Sequence, residues 1–132
     1  MYKGAILCVD DEAIILESLE IQLSDVFGKD FLIEFASDAI EALEILDDLI
    51  DEKIKILVII SDWLMPDMKG DDFLIEVDKR FPNSTKIMLS GQADMRAIDR
   101  AKKTDLYEYI PKPWSSDELI NTIKIGMKKC QK

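Results

Sequence analysis

The chain contains no histidine. That absence removes serine–histidine and cysteine–histidine catalysis, histidine-ligated zinc and any phosphohistidine carried by the chain itself. Cysteine is scarce. Cys8 sits in an apolar run and is expected to be a small core residue, while Cys130 lies in a basic tail and is expected to be exposed. Two isolated cysteines make neither a disulfide framework nor a thiolate metal site, which fits a reducing compartment. The 5 glycines and 4 prolines occur singly, so there is no flexible linker and no low-complexity stretch. No unbroken apolar run is longer than Ile56 to Ile60, far short of a membrane span. The apolar stretch between Gly4 and Asp10 is too short for a signal-peptide core. A cytoplasmic protein with no membrane partner is expected.

Positive charge is also in deficit. Lys and Arg number 17 against 27 Asp and Glu, a net charge of −10, which argues against direct binding to nucleic acid. The imbalance is uneven: residues 1–66 carry 16 acidic and 4 basic side chains, residues 67–132 carry 11 and 13. Part of this acidity belongs on solvated helix faces, and part is free to converge on a cation. The remainder is ordinary for a globular domain, 48% hydrophobic and 33% charged over 132 residues. One domain spanning residues 1–132 is expected, with no effector domain following the last helix.

The apolar pattern switches between two periods. Ala5–Val9, Lys55–Ile60, Lys86–Leu89 and Leu106–Ile110 are short apolar runs and predict strands, with a further short strand over Phe31–Phe35. Glu12–Val26 places Ile15, Leu19 and Leu23 on one helical face. Ser37 or Asp38 caps a second helix, with Ile40, Leu43, Leu46 and Ile50 expected inward. Pro66 and Gly70 bracket a loop before a helix over Asp71–Phe81, with Phe73, Leu74 and Val77 inward. Met95–Lys103 predicts another helix, and Ser115 or Ser116 caps a last one carrying Leu119, Ile120, Ile123 and Met127. Strands alternating with helices, and too apolar to have a wet face, predict an α/β fold with a parallel sheet covered on both sides. Five strands in this length suit a flavodoxin-like, doubly wound sheet of order 2-1-3-4-5.

In such a sheet ligands bind beyond the carboxyl ends of the strands. The first strand ends at Asp10-Asp11, the third at Asp62, the fourth at Ser90-Gly91, and the fifth is followed by Lys112-Pro113. Singly, each is an ordinary loop or cap residue. Together they place three carboxylates, a hydroxyl and an ammonium in one crevice. Crowded carboxylates need a cation or protonation to relieve them, and an oxygen-only donor set points to Mg²⁺, Mn²⁺ or Ca²⁺. Lys112 is a point charge suited to a phosphoryl group, and Ser90 can donate to the same group. Gly91 leaves room beside it. This is an apparatus for phosphoryl transfer onto a carboxylate.

The segments LCVDDE, VIISDWLMPDMKG, IMLSG and YIPKPW resemble, in order, the receiver domain of bacterial two-component response regulators. The resemblance implies that Asp62 is the phosphoacceptor, fed by a histidine kinase or phosphotransfer protein, and that Mg²⁺ (Mn²⁺ as the alternative) is the cofactor. It implies metal ligation by Asp10, Asp11, Asp62 and the backbone carbonyl of Leu64, Asp11 more directly and Asp10 partly through water. Ser90 takes the place of the switch hydroxyl, here Ser instead of the commoner Thr. Lys112 takes that of the phosphate-binding lysine, its bond to Pro113 cis, and Tyr109 that of the switch aromatic. Such a domain catalyses only its own phosphorylation and dephosphorylation. Its output face would be built from Met95–Lys103, Leu106–Ile110 and the last helix, with Arg96, Arg100, Lys102 and Lys103 making it basic. An effector domain or protein, or a second copy forming a homodimer, would dock there. YIPKPW is similar to the segment in receivers joined to second-messenger or phosphatase outputs.

Leu64 and Gln92 occupy the two positions that tune water access in this family. An apolar Leu64 cannot orient an attacking water, so slow self-dephosphorylation is expected. Timing phosphate loss after donor removal, in wild type against Leu64→Asn, checks this, and equal rates would contradict it. Trp114 is expected to be a packing residue, and Asp67 and Lys69 loop residues. Three other readings compete. A haloacid-dehalogenase-type phosphatase wants Asp-x-Asp after the first strand, where this chain has Asp10-Asp11-Glu12. A flavodoxin wants a phosphate-cradling loop there. A receiver-like interaction module without phosphotransfer typically loses the acceptor Asp or the Lys, and both are present.

Overall fold

The structure, a computed structural model, describes residues 2–63, 65–91, 99 and 106–130, the side chains of Ser90, Leu106, Tyr107, Lys129 and Cys130 excepted. Its elements are β1 (Ala5–Val9), α1 (Ala13–Phe27), β2 (Leu32–Ala36), α2 (Ala39–Asp51), β3 (Ile56–Ser61), α3 (Gly70–Arg80), β4 (Thr85–Ser90), β5 (Leu106–Pro111) and a C-terminal helix (Ser116–Cys130). The strands pair in parallel in the order β2-β1-β3-β4-β5, as the sequence pattern predicts. The helix expected over Met95–Lys103, Asp99 apart, lies outside the described residues, and so do Leu64 and Gln92. No helix among the described residues is long and apolar enough to cross a membrane.

Alternation along the strands builds two cores. Leu7, Val9, Ile59 and Met88 face one layer, packed by Ala42 and Leu46 of α2 and Phe73, Leu74 and Val77 of α3. Ile6, Cys8, Ile60, Ile87, Leu89 and Ile110 face the other, packed by Leu19, Leu23 and Phe27 of α1 and Leu119, Ile123 and Met127 of the C-terminal helix. The alternation slips in β3. The pairing of β1 with β3 shifts between Ala5 and Ile6, and Leu57 and Val58 join the same layer. Cys8 is wholly buried, and burial pushes its thiol well up. The edge strand β2 departs from the expected dryness: Leu32 to Phe35 are only half-buried. Burial raises the carboxyl of Glu34 there, and the charge of Glu52 adds to the effect.

Helix α2 corrects one expectation. Leu46 is buried as expected and Leu43 half-buried, but Ile40 and Ile50, also expected inward, are exposed, and Ala39, Ala42 and Leu49 are buried instead. Nearly two thirds of this helix is apolar, so two stripes at three- and four-residue spacing compete. Small Ala39 and Ala42 allow the helix to lie close to the sheet, which settles the choice. The start of α2 is fixed by three carboxylates. Asp38 accepts from the Glu41 N–H at 2.8 Å, as one of the two expected caps, and Ser37 N–H donates back to Glu41 at 3.1 Å. Asp67, expected to be a plain loop residue, accepts from the Ala39 and Ile40 N–H groups at 3.1 and 2.9 Å. It ties the β3–α3 loop to α2.

Partial desolvation would raise the Asp67 carboxyl, but these backbone donors outweigh it and hold it below the usual carboxylate range. A folded-state value lower than the unfolded one stabilises in full above the unfolded value, and the gain is lost as pH falls through the folded one. Asp67→Ala is therefore expected to cost about 1 kcal/mol at neutral pH. The gap from wild type should close as pH falls below about 4. Urea unfolding at the two pH values checks this; a gap independent of pH would contradict it.

Candidate functional site

The carboxyl ends of β1, β3 and β5 converge on one crevice. The sheet ladder runs on past the strands: Asp10 N–H donates to the Ala36 carbonyl at 3.1 Å, and Asp62 N–H to the Val9 carbonyl at 3.0 Å. Both carboxylates are thereby set at the sheet edge, and both side chains are buried, while Asp11 is exposed. Asp10 Oδ1 accepts from the Glu12 N–H at 2.9 Å. Asp10 Oδ2 accepts from Lys112 Nζ at 2.7 Å. Asp62 Oδ1 accepts from the Trp63 N–H at 2.8 Å, and its Oδ2 lies 3.5 Å from Lys112 Nζ. Glu12 Oε2 approaches the same ammonium at 3.4 Å. The Lys112–Pro113 peptide is cis, as the resemblance implies.

Burial alone would raise Asp10 and lower Lys112. For Asp10 burial wins: the hydrogen bonds from Lys112 and Glu12 offset it in part, the charge of Asp62 adds to it, and the carboxyl stands above its ordinary value. For Lys112 the partners win. The bond to Asp10 and the charges of Asp10, Asp62 and Glu12 overcome desolvation and hold the ammonium above the usual lysine value. Carboxylate oxygens of Asp10, Asp11 and Asp62 lie within 4.8 Å of one another. Three oxygen donors at that spacing, with no nitrogen or sulfur among them, fit a hard divalent cation that keeps several waters. Asp10 already has both oxygens engaged, whereas Asp11 faces solvent, a division that suits Asp11 to direct ligation.

Not every expected residue is placed. Leu64 and the Ser90 side chain lie outside what is described. The backbone of Ser90 pairs with Pro111, so β4 does end beside the lysine loop. Gly91 lies against Lys112, where a Cβ would make only ordinary contacts at 3.6 Å. Room at this position is not enforced by packing. Tyr109 is half-buried against the core layer that contains Met65 and Met88. Trp114 packs as expected, its indole N–H donating to Gln22 at 2.9 Å. Two participants, Glu12 and Asp71, were not singled out from the sequence, and Asp67 does more than the loop residue expected there. Glu12, whose only signal was adjacency to the Asp pair, joins the carboxylates around Lys112. Asp67 anchors the loop, and Asp71 is a buried carboxylate holding Trp63.

A doubly wound parallel sheet with an acidic cluster at β1 and β3 and a lysine after β5 defines a class of α/β domains with one charged crevice at the carboxyl ends of the strands. The response regulator receiver domain model matches residues 6–124, and the chain belongs to that family, the receivers of two-component signal transduction. The hydrogenase transcriptional regulatory protein HoxA of Cupriavidus necator is 32% identical over 123 residues, 92% of this chain. The DNA-binding transcriptional regulator NtrC of Proteus hauseri is 29% identical over 124 residues. This chain spans 24% of the length of each of those relatives. Among solved structures, the signal receiver domain of an HD domain-containing protein from Pseudomonas fluorescens Pf-5 superposes with a TM-score of 0.86 at 29% identity. That superposition covers 97% of both chains. The CheY-like response regulator receiver domain protein of Methanospirillum hungatei JF-1 gives 0.85 at 27% identity, over 97% of this chain and 96% of its own.

Proposed function

We propose that the chain accepts a phosphoryl group on Asp62 from a histidine kinase or phosphotransfer protein and thereby switches an output face. The observation that carries this reading is the Lys112 ammonium, 2.7 Å from Asp10 and 3.5 Å from Asp62, with Asp11 alongside. Residues 1–132 hold no histidine, so a phosphohistidine donor lies outside them. An Asp62 carboxylate oxygen attacks phosphorus in line. The new O–P bond forms as the donor N–P bond breaks, and the electron pair leaves with the donor imidazole. Asp11, Asp62 and the backbone carbonyl of Leu64, with Asp10 acting partly through water, would hold Mg²⁺, which supplies charge neutralisation at the phosphoryl oxygens. Lys112 gives up part of its contact with Asp10 for a phosphoryl oxygen. The Ser90 hydroxyl donates to another.

Phosphorylation adds about −1.5 to −2 charge and three acceptor oxygens. Drawing Ser90 inward vacates space that Tyr109, already half-buried, fills by turning further in. The surface around β5 and the C-terminal helix then changes, a two-state element biased by one local charge event. An effector domain or a second copy docks there; a beryllofluoride-activated receiver similar to this chain, that of NtrC4, is a dimer.

Incubation with acetyl phosphate and Mg²⁺ followed by intact mass tests the reading. One labile phosphoryl adduct is expected, dependent on Mg²⁺ and absent from Asp62→Ala. A folded wild-type protein that takes no adduct and binds neither Mg²⁺ nor beryllofluoride would overturn it in favour of an interaction module without phosphotransfer.

A further inference from the structure

We infer that Asp71 is a positioning residue for the Asp62 site, acting through a hydrogen bond to the indole of Trp63. The inference rests on the reading of Asp62 and its neighbours as a cation and phosphoryl site.

Asp71 lies in the first turn of α3 and is 3% exposed. A carboxylate so buried is costly unless its oxygens are engaged. Its Oδ1 accepts from the Trp63 indole N–H at 3.1 Å. Indole has one polar atom, a donor, so this bond satisfies the Trp63 side chain completely. The main chain of Trp63 is held as well. Its N–H donates to Asp62 Oδ1 at 2.8 Å, and its carbonyl accepts from the Gly70 N–H at 2.6 Å. The Lys69 ammonium lies 5.2 Å from the centre of its ring. Trp63 is thus pinned between the acceptor carboxylate on one side and residues 69–71 on the other.

The tightness of the junction supports a positioning role. A Cβ at Gly70 would collide with the Asp62 carbonyl oxygen and come within 2.6 Å of Trp63 Cα. Helix α3 therefore begins directly against the Asp62 backbone, and a shift of its first turn is passed to Asp62. Freeing the indole loosens the segment that orients Asp62 Oδ1. Outer partners of metal ligands commonly carry about 10-fold or more of the affinity.

The test uses Asp71→Leu, Asp71→Asn, Trp63→Phe and the double variant Trp63→Phe/Asp71→Leu. Exchange of the Trp63 indole N–H is followed by NMR in metal-free protein. Trp114, whose indole bonds Gln22, serves as internal reference. Mg²⁺ binding is then measured by calorimetry below the unfolding temperature of every variant. Asp71→Leu should speed Trp63 exchange about 10-fold, leave Trp114 unchanged and weaken Mg²⁺ about 10-fold. Asp71→Asn keeps the acceptor and should stay within about 2-fold of wild type in both. Trp63→Phe should weaken Mg²⁺ as much as Asp71→Leu, and the double variant no further, because the bond between Trp63 and Asp71 is lost in all three. Mg²⁺ affinity unchanged in Asp71→Leu or Trp63→Phe, or losses that multiply in the double variant, would overturn the inference and leave Asp71 a stabiliser of α3. Wild-type protein that binds no Mg²⁺ would overturn the receiver reading instead. Indole exchange in the metal-free variants would still decide whether Asp71 holds Trp63.

Discussion

Lys112→Met should lower the rate of phosphorylation by acetyl phosphate about 100-fold and make the stability of the chain depend on Mg²⁺. The first effect follows from charge. Lys112 is the one described cation within 3.5 Å of Asp62, and a preorganised donor aimed at developing charge is commonly worth 10²- to 10³-fold (about 3–4 kcal/mol). The second follows from burial. Asp10 is 2% exposed and keeps only the Glu12 N–H once the ammonium is gone, with the charge of Asp62 nearby. Leaving such a carboxylate without its partner costs about 3 kcal/mol in metal-free protein. A cation on Asp10, Asp11 and Asp62 restores the missing charge, so saturating Mg²⁺ should raise the melting temperature more in the variant than in wild type. Acetyl phosphate kinetics and paired melts with and without Mg²⁺ read both effects. A rate within a few-fold of wild type, or equal Mg²⁺ shifts, would contradict the role assigned to Lys112.

Lys86→Met should destabilise the chain by about 3 kcal/mol, a fall of about 10 °C in melting temperature, without altering phosphorylation. Lys86 is fully buried at the opposite end of the sheet from Asp62. Its ammonium donates to the carbonyls of Ser84 and Phe81 at 3.0 and 3.2 Å. Asp78 Oδ1 lies 2.9 Å away but off the line of a good hydrogen bond, a contact of charge with charge. Methionine fills the volume of the stem and leaves two carbonyls and a carboxylate unanswered. Asp78 is 27% exposed, so water recovers part of the loss and keeps it below that of a wholly buried pair. Asp78→Leu combined with Lys86→Met should recover part of the stability, as the unpaired charge is then gone. Chemical unfolding of the three variants checks this; additive losses would contradict it.

The sheet and its order were legible because five short apolar runs alternating with helical faces leave few topologies. The core of the site was legible for the same reason. Asp10, Asp62 and Lys112 each stand directly after a strand, so knowing the strand places the residue. What the sequence hid depends on neighbours far along the chain. The buried stripe of α2 was misjudged because Ile40 and Ile50 outweigh Ala39 and Ala42 in hydrophobicity, while close packing prefers the alanines. Asp67 looks like a turn residue until its carboxylate is seen to reach back to the N–H groups of Ala39 and Ile40. Asp71 carries the composition of any acidic helix start, and only the indole of Trp63, eight residues earlier, gives it a task. Lys86 opens an apolar strand, and the carbonyls that hold its ammonium lie on the preceding turn.

Chemical trapping of the phosphorylated residue tests the central claim most directly. Borohydride reduces an aspartyl phosphate to homoserine, and peptide mapping locates the converted position. After treatment with acetyl phosphate and Mg²⁺, conversion is expected at residue 62 alone, with Asp10 and Asp11 recovered intact. Conversion at Asp10 or Asp11, or none anywhere in a folded protein, would contradict the account.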